Sequence, residues 1–490
     1  MHDIFRIHGS SAALLTDLYE LTMAYGYWKT GADTKEAVFN LFFRENPFHG
    51  GFSIACGLGY VAAILDGFRF EQSDIGYLKE IRGSRGKHLF EDGFLDYLSS
   101  LKLTCDIDAI PEGTVVFPGE PLVRVTGPLL QCQLLETILL NIINFQTLIA
   151  TKAARVCDAA NGETVLEFGL RRAQGFDGGL TASRAAYIGG CAGTSNVLAG
   201  KLFGIPVRGT HAHSWVMSFD TELESFMAYA GTMPDNCIFL VDTYDTLEGV
   251  RNAVEVGKWL RGKGHEMVGI RLDSGDIDSL ARKARGMLDE AGFADAVIVG
   301  SNELDEYRIE ALKSRGSPVS VWGVGTRLVT AYDNPALGGV YKLSAVRRVG
   351  EPWQYKIKLS EEQGKTTIPG ILQVRRYSAG GRFAADVLYD GELGIGADAG
   401  TVQLIHDNSR FDLPNVDEYT DLLAPVFRKG ACVYSSPPLD EIRARAGAQR
   451  SQLPDAVRRI REPERYPVGL EKNLARFRER LVDEKEARNS

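Results

Sequence analysis

The chain has 490 residues, of which 44% are hydrophobic and 24% charged, with a net charge of −9 at pH 7. That length supports two or three domains with a sizeable core. The acidic balance argues against nucleic-acid binding by general electrostatics but leaves room for local basic patches that hold small phosphorylated ligands. Seven scattered cysteines, odd in number and without a CxxC pair, read as reduced, mostly buried thiols of a cytoplasmic protein.

The amino-terminal region shows no basic–apolar–small-residue signal pattern. Asp17 and Glu20, inside the apolar stretch 12–28, oppose a membrane span. The spacing of Leu18, Leu21, Thr22 and Tyr25 predicts a helix over 16–28 capped by Thr16 or Asp17. A strand follows at 38–43, then a Pro/Gly loop, FFRENPFHGGF. Residues 106–128 are punctuated by Pro111-Glu112-Gly113, Pro118-Gly119-Glu120-Pro121 and Gly127-Pro128, which predicts short strands in a small β-rich subdomain. Residues 131–160 read as one long helix.

Six short apolar runs then recur at intervals of about thirty residues: VLEFGLRR (165–172), IPVRGTHAH (205–213), IFLVDTYD (238–245), MVGIRLDSGD (267–276), VIVGSNELDE (297–306) and VSVWGVGT (319–326). Helix-like segments fill the gaps. Consecutive strand–helix units with parallel strands buried on both faces produce this cadence. In a βα barrel the catalytic groups collect at the carboxyl ends of the strands, and reactive or glycine-rich residues end each run here. After Thr326 the rhythm stops. Alternating segments VYKLSAV, YKIKLS and ILQVRR between glycine turns predict antiparallel strands that return to the amino-terminal domain. Beyond Pro437 the Arg/Glu-rich sequence predicts a solvated helical tail.

Several chemistries are open at this rim. In Gly209-Thr210-His211-Ala212-His213-Ser214, residues two apart on a strand end share a face, so His211 and His213 are candidates for a zinc pair of the amidohydrolase kind. Of the other histidines (His2, His8, His49, His88, His265 and His406), none falls at another strand end, which leaves such a site short of ligands. Alternatively one histidine is a nucleophile or acid–base group oriented by Asp242 at the next strand end, or is merely satisfied by hydrogen bonds. Arg271-Leu272-Asp273-Ser274-Gly275-Asp276 joins a strand to a helix whose free amides can meet an anion. Arg271 can fork onto a carboxylate or phosphate. Asp273 and Asp276 can bind sugar hydroxyls or a divalent cation, unless Asp276 is only a helix cap. Gly323-Val324-Gly325-Thr326 and Gly300-Ser301-Asn302 let amides approach a phosphate, or are plain tight turns. Phe168, Arg171 and Arg172 offer a stacking face beside cations, or core packing and a salt bridge. The set suits transfer chemistry on a phosphorylated sugar carrying an anionic leaving group.

These residues, with LLTDLYELTMAYGYW (14–28), FFRENPF (42–48), FGLRRAQGFDGGLTAS (168–183), GTSNVLAGKLFGIPV (193–207), GTHAHSW, RLDSGD and LGGVYKL (337–343), closely resemble the nicotinate phosphoribosyltransferase family, from the amino terminus to about residue 370. The resemblance implies an α/β fold with an irregular, incomplete βα barrel and a second α/β domain built from both chain ends. On this chain the parts are 1–140 (with the β-rich subdomain), 141–338 (the barrel), 339–430 (the return) and 431–490 (the helical tail). It implies a homodimer with shared active sites. The implied reaction joins nicotinate to phosphoribosyl pyrophosphate, giving nicotinate mononucleotide and pyrophosphate, with Mg²⁺ and coupled hydrolysis of ATP. By the same match His213 would be the phosphorylated histidine and Asp242 the carboxylate beside it. Phe168 and Tyr19 would sandwich the pyridine ring, near Arg171, with Tyr19 contributed across the dimer. Thr210 and Arg271 would lie near substrate, Asp273 near the ribose, and Gly300, Gly323 and Gly325 near the 5′-phosphate. Arg44, Lys342 and Thr367 resemble further phosphate contacts. The chain departs from many relatives at Ala192, where an Asp is usual; losing that charge would favour an acid over an amide substrate. Nicotinamide phosphoribosyltransferase is the alternative within the class, and the shorter quinolinate enzymes fit less well.

Overall fold

A computed structural model describes residues 12–359, 366–396 and 400–489; His2 and His8 lie outside the described residues. The chain forms two compact units, Ile149–Pro335 and Met1–Leu148 with Ala336–Ser490.

The unit Ile149–Pro335 is built on a six-stranded sheet: β1 (Thr164–Glu167), β2 (Gly193–Thr194), β3 (Ile238–Leu240), β4 (Gly269–Leu272), β5 (Val297–Gly300) and β6 (Val321–Val324). Their order is β2-β1-β6-β5-β4-β3 and every pairing is parallel. All carboxyl ends therefore share one edge. The apolar runs are explained by burial: Phe239, Leu240, Ile270, Ile298 and Trp322 are fully buried. Helices Thr246–Gly262, Ile277–Glu290 and Glu306–Ser314 follow β3, β4 and β5. Each opens on an aspartate whose carboxylate accepts a backbone N–H three residues on: Asp245 from Glu248 (2.9 Å), Asp276 from Ser279 (3.5 Å) and Asp305 from Arg308 (2.8 Å). Such caps stabilise a helix start by about 1 kcal/mol each.

Two readings are corrected here. The run 205–213 forms no regular strand; its backbone makes one isolated parallel bridge, Val207 to Thr194, and His213 already begins the helix His213–Met217. Its Pro, Arg, Gly and His content gives it too little apolar surface to bury on both faces. Conversely β2, only two residues long, occupies a sheet position that no apolar run announces.

The other unit carries an antiparallel seven-stranded sheet in the order Gln354–Tyr355, Val340–Arg348, Lys35–Phe42, Val123–Pro128, Asp106–Ala109, Ala424–Arg428, Ala431–Cys432. Three strands from the amino-terminal part lie together in it, flanked on each side by two from the carboxyl-terminal part, and the buried Asn40 amide donates to Ser344 Oγ at 2.9 Å across one of those junctions. The stretch 106–128 is thus no separate subdomain: two of its strands lie in this sheet and Val115–Val116 pairs with Ser53–Ile54. Among the described residues of YKIKLS, Tyr355 alone lies in a strand, Gln354–Tyr355. A six-stranded sheet runs in the order Arg410–Asp412, Thr401–Leu404, Val468–Leu470, Arg382–Asp390, Leu372–Ala379, Glu418–Asp421. Val468–Leu470 sits inside that sheet, and Ile442 and Ala446 of helix Leu439–Gln452 are fully buried, so the last segment is no solvated tail. The helical stretch Leu129–Ala160 is long and apolar enough to cross a membrane, but 67% of its most apolar window is buried within the fold, as in a core helix.

Candidate active site

The shared strand-end edge of Ile149–Pro335 gathers the reactive side chains. His213 is half exposed; its Nδ1 lies 3.0 Å from Thr243 Oγ1 and its Nε2 3.9 Å from Asp273 Oδ2. Asp273 accepts a hydrogen bond of 2.5 Å from Ser301 Oγ, just past β5. Asp242, just past β3, does not orient the histidine as expected. Its Oδ2 accepts from the Asp273 N–H (2.8 Å) and the Ser274 hydroxyl (2.6 Å), so it holds the turn after β4, while its Oδ1 is buried with no hydrogen-bond partner. The orienting group at that strand end is the neighbouring hydroxyl, Thr243. Arg271 donates from Nη1 to Thr210 Oγ1 at 2.5 Å and its Nε is a buried donor without an acceptor. Burial pulls its guanidinium pKa down from the ordinary value, opposed by Asp273 and Asp242, with Arg171 near enough to add to the lowering. A buried cation with a spare donor is built to meet an anion.

His211 does not share the face of His213. It is buried, its ring packs 5.0 Å from Tyr229 and 5.9 Å from Phe226, and its Nε2 accepts the Leu240 N–H at 3.3 Å. Burial lowers its pKa to about 4, so it is neutral and structural. A zinc pair has no support in this arrangement, because the Nε2 lone pair is already used.

Phe168 is half-buried at the end of β1, its N–H bonded to Val324 O at 2.8 Å. A Cβ on Gly323 would stand 2.7 Å from the Phe168 ring, so the glycine is what lets that ring lie over β6. A Cβ on Gly325 would lie 3.2 Å from Phe168 O, a tight but smaller conflict. At Gly300 the same position is filled by Val319 and Ile277, which makes its absent side chain a packing requirement. Arg171 and Arg172 are exposed, on the turn after Phe168. The Ala192 N–H bonds Val165 O at 2.8 Å, beside β1.

Sequence reasoning passed over Glu167. This carboxylate is fully buried and accepts from Ser183 Oγ (2.9 Å), Thr194 Oγ1 (2.5 Å) and the Gly169 N–H. It ties both residues flanking Phe168 to helix Gly175–Gly189 and to β2. A lone acid ending an apolar run was the available signal.

Four candidates belong to the other unit. Tyr19, on helix Leu18–Thr30, is 45% exposed, with its pKa raised by partial burial and then by Glu136 and Glu20. Lys342 is half-buried on Val340–Arg348, opposite Asn40. Thr367 is buried and its hydroxyl accepts the Lys358 N–H at 2.9 Å, a local structural bond. Arg44 follows Lys35–Phe42 and lines a cleft.

A parallel α/β sheet whose strand ends present an unsatisfied arginine, a carboxylate beside a histidine and an aromatic ring defines a transferase of anionic, phosphorylated substrates. Sequence profiles make the class particular. Residues 14–144 match the nicotinate phosphoribosyltransferase N-terminal domain, 164–377 the nicotinate phosphoribosyltransferase family, and 373–478 the nicotinate phosphoribosyltransferase C-terminal domain. The nicotinate phosphoribosyltransferase of Bacillus subtilis is 43% identical, covering 94% of this chain and 93% of its own, and that of Dictyostelium discoideum is 38% identical, covering 96% and 88%. The crystal structure of human nicotinic acid phosphoribosyltransferase superposes with a TM-score of 0.83 at 34% identity, over 95% of this chain and 99% of that one. The chain belongs to the nicotinate phosphoribosyltransferase family.

Proposed function

We propose that this enzyme transfers the phosphoribosyl group of phosphoribosyl pyrophosphate to the ring nitrogen of nicotinate at the strand-end edge, in salvage of nicotinate for NAD. The carrying observation is the convergence of Arg271, Asp273 and His213 there, in a chain of this family. The ring nitrogen forms a bond to C1′ of the ribose while the bond from C1′ to the pyrophosphate oxygen breaks, and pyrophosphate leaves. Positive charge builds on the sugar and negative charge on the leaving group. A fixed cation such as Arg271 stabilises that separation more in the transition state than in the ground state. Asp273, near the ribose, balances the sugar's charge, and Thr210 steadies Arg271. Phe168 holds the ring flat for attack, with Arg171 beside it; aromatic positioning is all the nucleophile needs. Gly300, Gly323 and Gly325 leave backbone near the 5′-phosphate. Ala192 brings no charge against a ring carboxylate.

ATP enters through His213. With the proton on Nδ1 and donated to Thr243 Oγ1, the Nε2 lone pair is free to take the γ-phosphoryl group, releasing ADP; water later takes that group as phosphate. Mg²⁺ would arrive on the substrates' phosphates. Among the described residues no three ligating side chains converge, but the orphaned Asp242 Oδ1 and the Asp273 carboxylate are the hard oxygen donors such an ion accepts. When bound, it would neutralise charge on the departing pyrophosphate.

Segment 205–213 bridges to β2 through Val207 and to β3 through His211 and the Leu240 N–H, and this supports an irregular barrel closed across the two sheet edges. Leu15, Leu18, Tyr19 and Met23 form an exposed apolar group around the first long helix, which suits a second copy of the chain and a Tyr19 that stacks opposite Phe168 across a homodimer. Arg44, Lys342 and Thr367 would serve phosphates in the same assembly. The deciding assay incubates the enzyme with phosphoribosyl pyrophosphate and Mg²⁺, with nicotinate or nicotinamide, with and without ATP. Mononucleotide from nicotinate, increased by ATP, is expected; turnover of nicotinamide alone would overturn the reading.

A further inference from the structure

The unit built from both chain ends holds a cleft of about 730 Å³. Three arginines line it: Arg44, Arg465 and Arg478, from segments more than four hundred residues apart at the extremes. The Nε donors of Arg44 and Arg478 are buried with no acceptor in the chain. Two such donors lining one cleft leave room for an acceptor that the chain itself does not supply. Burial also pulls the Arg478 pKa down from its ordinary value, with only Glu479 opposing it. The acids of the lining do not neutralise these cations: Asp407 pairs with His406 at 3.1 Å and Glu464 faces Arg459 at 3.8 Å, leaving Glu45. Beside the arginines, the half-buried Phe42 lines the cleft, backed by the buried Phe117 and Tyr466, whose rings stack on each other with centroids 3.9 Å apart. Guanidinium groups next to apolar, aromatic wall are the chemistry that holds a phosphate chain and a flat ring together.

We propose that this cleft is a binding site for a nucleotide, its phosphates held by Arg44, Arg465 and Arg478 and its base against the apolar wall at Phe42. Arg465 and Arg478 have no part in the proposed transfer, so their contribution to this cleft stands whatever the strand-end edge of the other unit does. The test is equilibrium dialysis of labelled ATP against the full-length enzyme saturated with phosphoribosyl pyrophosphate and nicotinate mononucleotide, comparing wild type with Arg465→Gln and Arg478→Gln. Arg465 is exposed, so its variant should fold even if the Arg478 one does not. One equivalent of ATP per chain is expected to survive saturation in the wild type. Each variant should bind it about tenfold more weakly or worse, as loss of a charge-assisted phosphate contact requires. Inorganic tripolyphosphate should compete and adenosine should do so only weakly. Absence of surviving ATP, or Arg465→Gln binding it like wild type, would overturn the proposal. Formation of mononucleotide by either variant would show that such a failure concerns the cleft and leaves the transferase intact.

Discussion

The ring of His213 is held by a hydroxyl, Thr243 Oγ1, 3.0 Å from Nδ1, and not by the carboxylate one residue earlier. A hydroxyl can accept the Nδ1 proton and so fix the tautomer that exposes Nε2, without drawing the ring into a permanent ion pair. Outer groups that orient a metal-ligating histidine typically contribute about 10- to 100-fold, and the same orienting role is expected here. Thr243→Val should therefore lower the ATP-stimulated rate about tenfold or more, and Thr243→Ser should recover most of it. Rates with and without ATP report this directly; equal ATP stimulation in Thr243→Val and wild type would refute it.

His213 itself makes a sharper case. His213→Ala should abolish acid-labile phosphate on the protein after incubation with labelled ATP and remove the stimulation by ATP. Residual ATP-independent transfer should persist, because Arg271 and Phe168 stay in place. Acid-labile label retained in the variant would move the phosphoryl acceptor elsewhere.

Asp242 and Glu167 act through backbone that they hold. Asp242→Asn keeps the shape but weakens the bonds to the Asp273 N–H and Ser274 hydroxyl, each worth more to a charged acceptor than to a neutral one. A loss of about 10- to 100-fold in kcat/KM for phosphoribosyl pyrophosphate is expected, with the midpoint of thermal unfolding little changed. Glu167→Gln should instead cost about 1–3 kcal/mol of stability, since a buried amide must find an acceptor for its N–H among groups that already donate. By loosening Phe168 it should also raise KM for nicotinate more than KM for phosphoribosyl pyrophosphate. Urea titration and steady-state kinetics separate the two effects.

Gly323→Ala tests the ring directly. The added methyl would press on Phe168 from 2.7 Å, a distance that forces the ring to move. KM for nicotinate should rise severalfold with little effect at the other substrate. If both KM values stay at wild type, Phe168 does not stack on the pyridine.

How far the residue pattern carried is visible in particular places. β1 and β3 to β6 were legible because parallel strands buried on both faces must be apolar runs, and the Asp276 cap was legible because a helix had to start there. β2 was not, since two residues cannot show a period. The 205–213 run misled because its histidine pair was placed on a strand that does not form, and the true geometry separates His211 into the core. The Thr243 and Glu167 contacts were hidden for another reason: a lone acid ending an apolar run marks Glu167, but its partners Ser183 and Thr194 meet it only after the chain has folded.

His211 gives the fold a pH dependence of calculable sign. Its pKa falls from an ordinary 6.5 to about 4 because burial penalises the imidazolium, with Arg271 and His213 adding to the lowering. The unfolded chain binds that proton near pH 6.5 while the native chain refuses it until about pH 4. Native stability is then full above pH 6.5, falls as pH drops through the window from 6.5 to 4, and levels off below it. One proton across that window amounts to roughly 3 kcal/mol. His211→Gln retains an acceptor for the Leu240 N–H but cannot titrate. Urea unfolding of wild type and His211→Gln from pH 4 to 8 should give parallel stabilities above pH 6.5. Below it the wild type should lose stability faster, and curves that stay parallel down to pH 4 would place the acid sensitivity of the fold in other groups.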